Sequence, residues 1–407
     1  MISAPVSMRG VRARRLFTVP ASRLVAYLGV CTILVYGSLM EPTPDSLTAP
    51  LMVWVIVAAI PVIVSVRYAS QLPLYNFLLA AIIMIGMLSG MYALNDLIQF
   101  VRDLISFAFW VFGPLLILLI VSKPRTGDPI LTLEQVRLTL ALAGTALSVR
   151  YFFQQEVSLT AALSVDLRAN LQYLSSEPLV TFAFIYAGMS IFRARRVFGM
   201  IGFLVLFLLA SIGLIAVTYR GPLLLGSAMF MIAWAVSAFA GERPSPLWVV
   251  LTIVIVVLML YFLQDQISAV GTKIFNKFER VGTNSKFEEF LQVFDSDVDA
   301  WQVIFGSGFG GRVFLVGAGT MTGYAHNLIS YAFIKSGYAG VILVIITLVS
   351  SLSRVLVTAR RAWHYSPEIV TILYIGLFQA AFKHFGYGLL LGVCLAAGHE
   401  FRRSEHL

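Results

Sequence analysis

The sequence predicts an all-α, polytopic transmembrane bundle of about twelve spans, with a large helical loop on its non-cytoplasmic side. Three observations carry that prediction. Of the 407 residues, 59% are hydrophobic and only 12% charged, at a mean hydropathy of +0.88; ordinary soluble domains carry roughly 25% charged residues. A water-soluble fold of this length cannot hide so much apolar surface. Lipid accepts it, because a helix satisfies its own backbone polar groups. Apolar runs of about 17–20 residues recur along the chain, the length a bilayer requires. The basic residues fall in alternate connections, as cytoplasmic loops demand.

The expected spans are 24–40, 48–66, 74–90, 104–121, 131–149, 177–192, 199–218, 221–240, 247–264, 327–350, 367–382 and 385–400. Arg9, Arg12, Arg14 and Arg15 precede the first, and Glu41-Pro-Thr-Pro follows it where a signal peptide would carry a small-residue cleavage site. It therefore reads as a membrane helix. With the N-terminus inside, Arg67, Lys123, Arg125, Arg193, Arg195, Arg196, Arg243, Arg354, Arg360, Arg361, Arg402 and Arg403 all fall in cytoplasmic segments. The outer connections 41–47 and 91–99 carry no Lys or Arg. Both chain ends are then cytoplasmic. The net charge of +9 is accounted for largely by these loops, and nucleic acid is not expected as a partner. The last two spans are short, and read as a tight hairpin or one broken helix. Cys31 and Cys394, the two cysteines, lie in apolar runs and suggest neither a disulfide framework nor a thiolate metal site.

Residues 1–264 thus form nine spans with one amphipathic outer segment at 150–176, residues 265–326 form an outer cap, and residues 327–407 form three spans and a cytoplasmic tail. In the first outer segment Leu159, Leu163, Leu167 and Leu171 make one apolar stripe, suited to lying along the membrane surface. In the cap, Ile267, Val270, Ile274 and Phe278 make a second stripe, and Lys273, Lys277 and Arg280 form a basic edge beside it. A further amphipathic helix is expected with Phe287, Phe290, Leu291 and Phe294 on one side and Glu288, Glu289 and Asp295 on the other.

His326 and Asn327 stand at the start of the tenth span. On a continuous helix His326, Ser330 and Gly337 would fall within about 40° of one another. Gly337 and Gly340 would then admit a neighbouring helix beneath the histidine. A histidine there is either a helix-start hydrogen-bonding group or a base at the outer face. Arg220, in Val-Thr-Tyr-Arg-Gly-Pro, is expected to end the seventh span at headgroup depth, either snorkelling or gripping phosphate with its planar fork. Arg280, Lys273 and Lys277 carry the same two readings. Lys335 is expected to snorkel or pair, and Lys383 and His384 mark the outer turn of the last hairpin. Gly306-Ser-Gly308-Phe-Gly-Gly311 fits a dinucleotide pattern, but no βαβ unit surrounds it, and a tight glycine turn returning the cap to the membrane is the better reading. The sequence offers neither a zinc-type cluster nor a Mg²⁺-like carboxylate pair, so no metal and no cofactor are expected.

The stretch from about 218 to 340 resembles the O-antigen ligase and polymerase superfamily of bacterial membrane glycosyltransferases. Three features carry the resemblance: His326-Asn327 followed by Gly337-x-x-Gly340, the upstream glycine turn from Gly306, and Thr218-Tyr219-Arg220-Gly221. Tyr219 stands where the family usually has serine, and Lys286 where many relatives have a second loop arginine, which leaves Arg280 as the partner of Arg220. The resemblance implies transfer of a glycan from undecaprenyl diphosphate to an acceptor hydroxyl on the periplasmic side of the inner membrane. Its site residues would be His326, Arg220 and Arg280, with Lys273, Lys277, Lys286, Asn327 and Tyr219 binding substrate. The partners would be the carrier-linked oligosaccharide, an acceptor glycan or lipid A–core, and the lipid bilayer. Polymerisation of repeat units is the favoured outcome, and ligation to lipid A–core the alternative. From another class, a twelve-span secondary transporter would show two similar halves and broken helices with polar groups at mid-membrane, and a lipid flippase is a further possibility.

Overall fold

The computed structural model describes residues 21–39, 49–122, 130–155, 177–194, 196–216, 220–239, 268, 272, 291–294, 299–315, 320–322, 327–357 and 359–405. Within them the chain runs through α1 (Ala21–Leu39), α2 (Ala49–Ser65) with a 3-10 extension at Val66–Gln71, α3 (Pro73–Tyr92), α4 (Leu97–Val121) and α5 (Leu133–Gln155). It continues through α6 (Pro178–Arg193), α7 (Val197–Ala216), α8 (Arg220–Phe239) and the short α9 (Ala300–Phe305). An antiparallel hairpin of β1 (Val313–Leu315) and β2 (Thr320–Thr322) precedes α10 (Leu328–Leu356), α11 (Ala359–His364), α12 (Ser366–Phe378) and α13 (Phe385–Glu405). A helix covers every expected span except 247–264, which lies outside the described residues.

The chain is an all-α membrane protein. Among the described residues, five helices are long and apolar enough to cross a bilayer. Their outward faces are apolar: Ile56 and Ile63 on α2 are each 71% exposed and Phe77 on α3 is 70% exposed. In water such surfaces would drive association, whereas lipid chains cover them at no cost. The centre is α13, whose residues Phe385 through Gly398 are buried on every side. Backbones come together there through small residues: a Cβ on Gly113 would strike Gly388, and one on Gly392 would meet Pro114 on α4 at 2.7 Å. The last two spans form a hairpin, joined by a 3-10 turn at Ala380–Lys383.

Proline and caps set several helix starts. Pro73, Pro178 and Pro367 sit in first turns, where a missing N–H costs nothing. Asp96 caps α4 by accepting from the Ile98 N–H at 3.0 Å.

The helices alternate in direction, so their polar ends gather at two poles. At one pole Arg137, fully buried, makes a two-point bond with Glu368 at 2.6 and 3.1 Å. The same guanidinium bonds Glu134 at 2.7 Å and the His364 carbonyl at 2.8 Å, between the rings of Tyr186 and Tyr365. This ties the start of α5 to the start of α12, with Arg193 at the end of α6 bonding the Trp363 carbonyl at 3.0 Å. At the other pole lie Asp96, Glu177, Asn327 and His384, which begin α4, α6, α10 and α13.

Candidate functional site

The Asn327 pole is built around a break in α10. Asn327 caps the helix, its side chain accepting from the Ser330 N–H at 2.7 Å. The helix then runs regularly until Gly337, whose φ of 59° and ψ of −161° belong to a region essentially reserved for glycine. A break frees carbonyls that water would otherwise have to satisfy. The Ile334 carbonyl, which in an unbroken helix would serve residue 338, instead accepts from the Ser307 N–H at 2.8 Å.

Ser307 belongs to the glycine turn, which enters the bundle rather than skirting it. Gly306, Gly308 and Gly310 have φ of 77°, 78° and 81°. A Cβ on Gly306 would collide with the backbone of Ser336, and one on Gly308 with that of Gly90. Phe309 is fully buried, donates its N–H to the Gly86 carbonyl at 2.8 Å and stacks on Phe107 at 5.4 Å. Asn95 donates to the carbonyls of Ser307 and Phe309 at 2.7 and 2.8 Å. Irregular backbone is tolerated inside a membrane bundle when protein partners satisfy it, and here they do.

These findings bear out the glycine turn and correct the expected helical phase. The helix begins at Leu328, and its break at Gly337 ends any continuous face running from His326 to Gly340. Gly337 admits the end of α9, not a neighbouring span: a Cβ there would collide with Ile304. The hairpin β1–β2 was likewise not expected within the cap, nor was the burial of Val293 in place of Leu291, which is exposed. Phe294 packs on Phe333 of α10 at 4.5 Å, as its place on the apolar side suggests.

Lys335, just before the break, pairs with Asp103 of α4 at 2.6 Å and donates to the Gly311 carbonyl at 2.7 Å. Asp103 also accepts from the Gly310 N–H at 2.8 Å and the Tyr331 hydroxyl at 2.9 Å. Both oxygens of the carboxylate are thus used, and they hold the turn against α4 and α10. Lys383, in the connection between α12 and α13, rests its ammonium 4.3 Å from the centre of the Tyr331 ring. Burial pushes the Lys383 ammonium well below the usual lysine range, Asp103 opposes that shift, and Lys335 and Arg102 add to it.

Of the residues selected from the sequence, Asn327 is placed as a helix cap, and Arg220 as the first residue of α8 rather than the last of the seventh span. Pro222 lies in the first turn of α8, where proline starts helices. Two contacts bring these chain positions to one place. A Cβ on Gly221 would collide with the Tyr374 hydroxyl, and one on Gly376 would touch Leu328 at 3.7 Å. The starts of α8 and α10 therefore both pack on the last two turns of α12. Tyr219, Lys273, Lys277, Arg280, Lys286 and His326 lie outside the described residues, as does the 150–176 segment from Glu156 onward.

Sequence reasoning missed Asp103, Tyr331, Glu177 and Tyr36. Glu177 stands at the N-cap of α6 yet makes no capping bond. Its carboxylate is fully buried and accepts from the Tyr36 hydroxyl at 2.9 Å and from His384 Nδ1 at 2.5 Å. Lone acids at the edges of apolar runs were the available signal. Asp103 fell one residue outside its expected span, and Glu177 looked like an ordinary residue before a helix-starting proline. Among the described residues no group of three or more His, Cys, Asp or Glu could hold a metal ion. No protein-family model matches the chain, and no curated protein matches it significantly.

Proposed function

We propose that the chain is a glycosyltransferase of the bacterial inner membrane. It moves a glycan from undecaprenyl diphosphate to a sugar hydroxyl on the periplasmic side, and so polymerises polysaccharide repeats. Twelve spans, both ends in the cytoplasm and a cap over residues 265–326 complete this reading. The observation that supports it best is the packing of the starts of α8 and α10 on the end of α12. That packing draws the backbones flanking Arg220 and His326 towards one helix end, although the two residues are far apart in sequence. In the proposed step the acceptor hydroxyl gives its proton to His326, and its oxygen bonds the anomeric carbon. The bond from that carbon to the diphosphate breaks, and its electron pair leaves on the diphosphate. Arg220 and Arg280 stabilise the charge that develops there, and a histidine titrating near neutrality suits the proton transfer.

The broken helix favours a second reading, a secondary transporter. Two features weigh against it. The Ile334 carbonyl that the break frees is already taken by the Ser307 N–H at 2.8 Å, and so is not offered to an ion or substrate. The neighbouring charges of Asp103 and Lys335 are also paired with each other.

The deciding experiment gives purified protein in nanodiscs a labelled carrier-linked oligosaccharide, with and without lipid A–core. Longer chains on the carrier are expected. Transfer to lipid A–core would make the protein a ligase. Substrate movement across the bilayer without glycosidic bond formation would sink the transferase reading.

A further inference from the structure

The buried carboxylate of Glu177 is poorly explained as a structural tie alone. A carboxylate removed from water is costly unless its acceptor positions are filled, yet only Oε2 is used, and Oε1 has no hydrogen-bond partner. At the N-cap of α6 it also ignores the backbone N–H groups that an acidic side chain there would ordinarily take.

Its effect on His384 is specific. A carboxylate can only accept, so the proton of a neutral His384 is held on Nδ1, and Nε2 carries the lone pair. Nε2 has no hydrogen bond to any described residue, and it is not among the sealed, unpartnered polar atoms. The turn that carries the ring is held by its backbone bonds. The His384 N–H donates to the Ala381 carbonyl at 3.1 Å, the His384 carbonyl accepts from Tyr387 at 3.1 Å, and the preceding Phe382 carbonyl accepts from Trp110 at 2.8 Å. Phe382 packs on Tyr331 of α10 at 5.1 Å, which places the turn at the same pole as Asn327. An oriented imidazole nitrogen with its lone pair free is a hydrogen-bond acceptor, and such an acceptor suits a ligand rich in hydroxyl groups.

We propose that His384, oriented by Glu177, binds a sugar hydroxyl of the glycan substrate through Nε2. This rests on the glycosyltransferase reading above. It names a residue and a ligand group that the resemblance to the ligase and polymerase superfamily does not supply.

Carbethoxylation of His384 by diethyl pyrocarbonate, followed by peptide mass spectrometry, tests the idea on the wild-type protein without requiring turnover. The ligand-free protein should be modified at His384. Carrier-linked oligosaccharide extracted from the cells that express the protein, supplied at several times its Kd, should protect it at least about fivefold by occupancy, while sugar-free undecaprenyl diphosphate should not. Protection by carrier-free oligosaccharide as well would show that the sugar alone suffices for the contact and would support the proposal equally. His384→Gln and Glu177→Gln should each raise KM for the glycan by roughly tenfold with a smaller change in kcat. A His384 that resists modification, or one modified equally with and without glycan, overturns the proposal even if those variants fail to fold. Protection without any glycosidic product would keep the binding role and remove the transferase reading.

Discussion

Asp103 on α4 and Lys335 on α10 form an ion pair at 2.6 Å, with side chains 8% and 1% exposed, and both also hold the backbone of the glycine turn. The pair is one of the points at which the glycine turn is fastened to α4 and α10. Removing one partner leaves a buried charge alone, whereas removing both leaves no lone charge, only the Gly310 N–H, the Tyr331 hydroxyl and the Gly311 carbonyl to find other partners.

Asp103→Leu and Lys335→Met should therefore each cost about 3–5 kcal/mol of stability, read by thermal unfolding in detergent. The double variant should lose clearly less than the sum. Strict additivity would show that the two side chains stabilise the protein independently.

Glycine substitutions should separate by conformation. Gly308→Ala and Gly337→Ala place a Cβ at positive φ and against backbone, and each should cost about 1–3 kcal/mol or more. Gly202→Ala on α7 meets nothing within 4 Å and should be neutral or stabilise by up to about 1 kcal/mol, the helix preference for alanine. Limited proteolysis of the cap should accelerate in the first two variants alone.

Orientation is open to a direct check. Reporter fusions at positions 160 and 290 should report the non-cytoplasmic side, and fusions at 195 and 358 the cytoplasm. One reversal among the four would overturn the proposed count of spans.

The proposed chemistry separates the two kinds of site residue. His326→Ala should reduce glycan transfer by roughly 10²–10⁴-fold while carrier-lipid binding stays nearly intact, because the base acts on the acceptor. Arg220→Ala should weaken both binding and turnover, since phosphate is present in the ground state as well as the transition state. Arg220→Lys should rescue only in part, because an ammonium keeps the charge but loses the planar fork. Wild-type transfer by the 326 variant would remove His326 from the mechanism.

The all-helical class, the places of the membrane helices and the turn at Gly306–Gly311 were legible in the sequence, because lipid imposes a length and a composition on each helix separately. Asn327 as a helix start was legible for the same local reason. The break at Gly337 was not, since glycine is equally common where helices pack closely, and only the arrival of α9 and Ser307 distinguishes the two uses. Nor could hydropathy foresee that Lys335 meets Asp103, or that Glu177 meets His384. These partners lie 232 and 207 residues apart, and a charge in an apolar run reveals that it needs a partner without revealing which one. That choice belongs to the tertiary structure, because a buried charge is tolerable only where another helix delivers its counterpart within hydrogen-bonding distance.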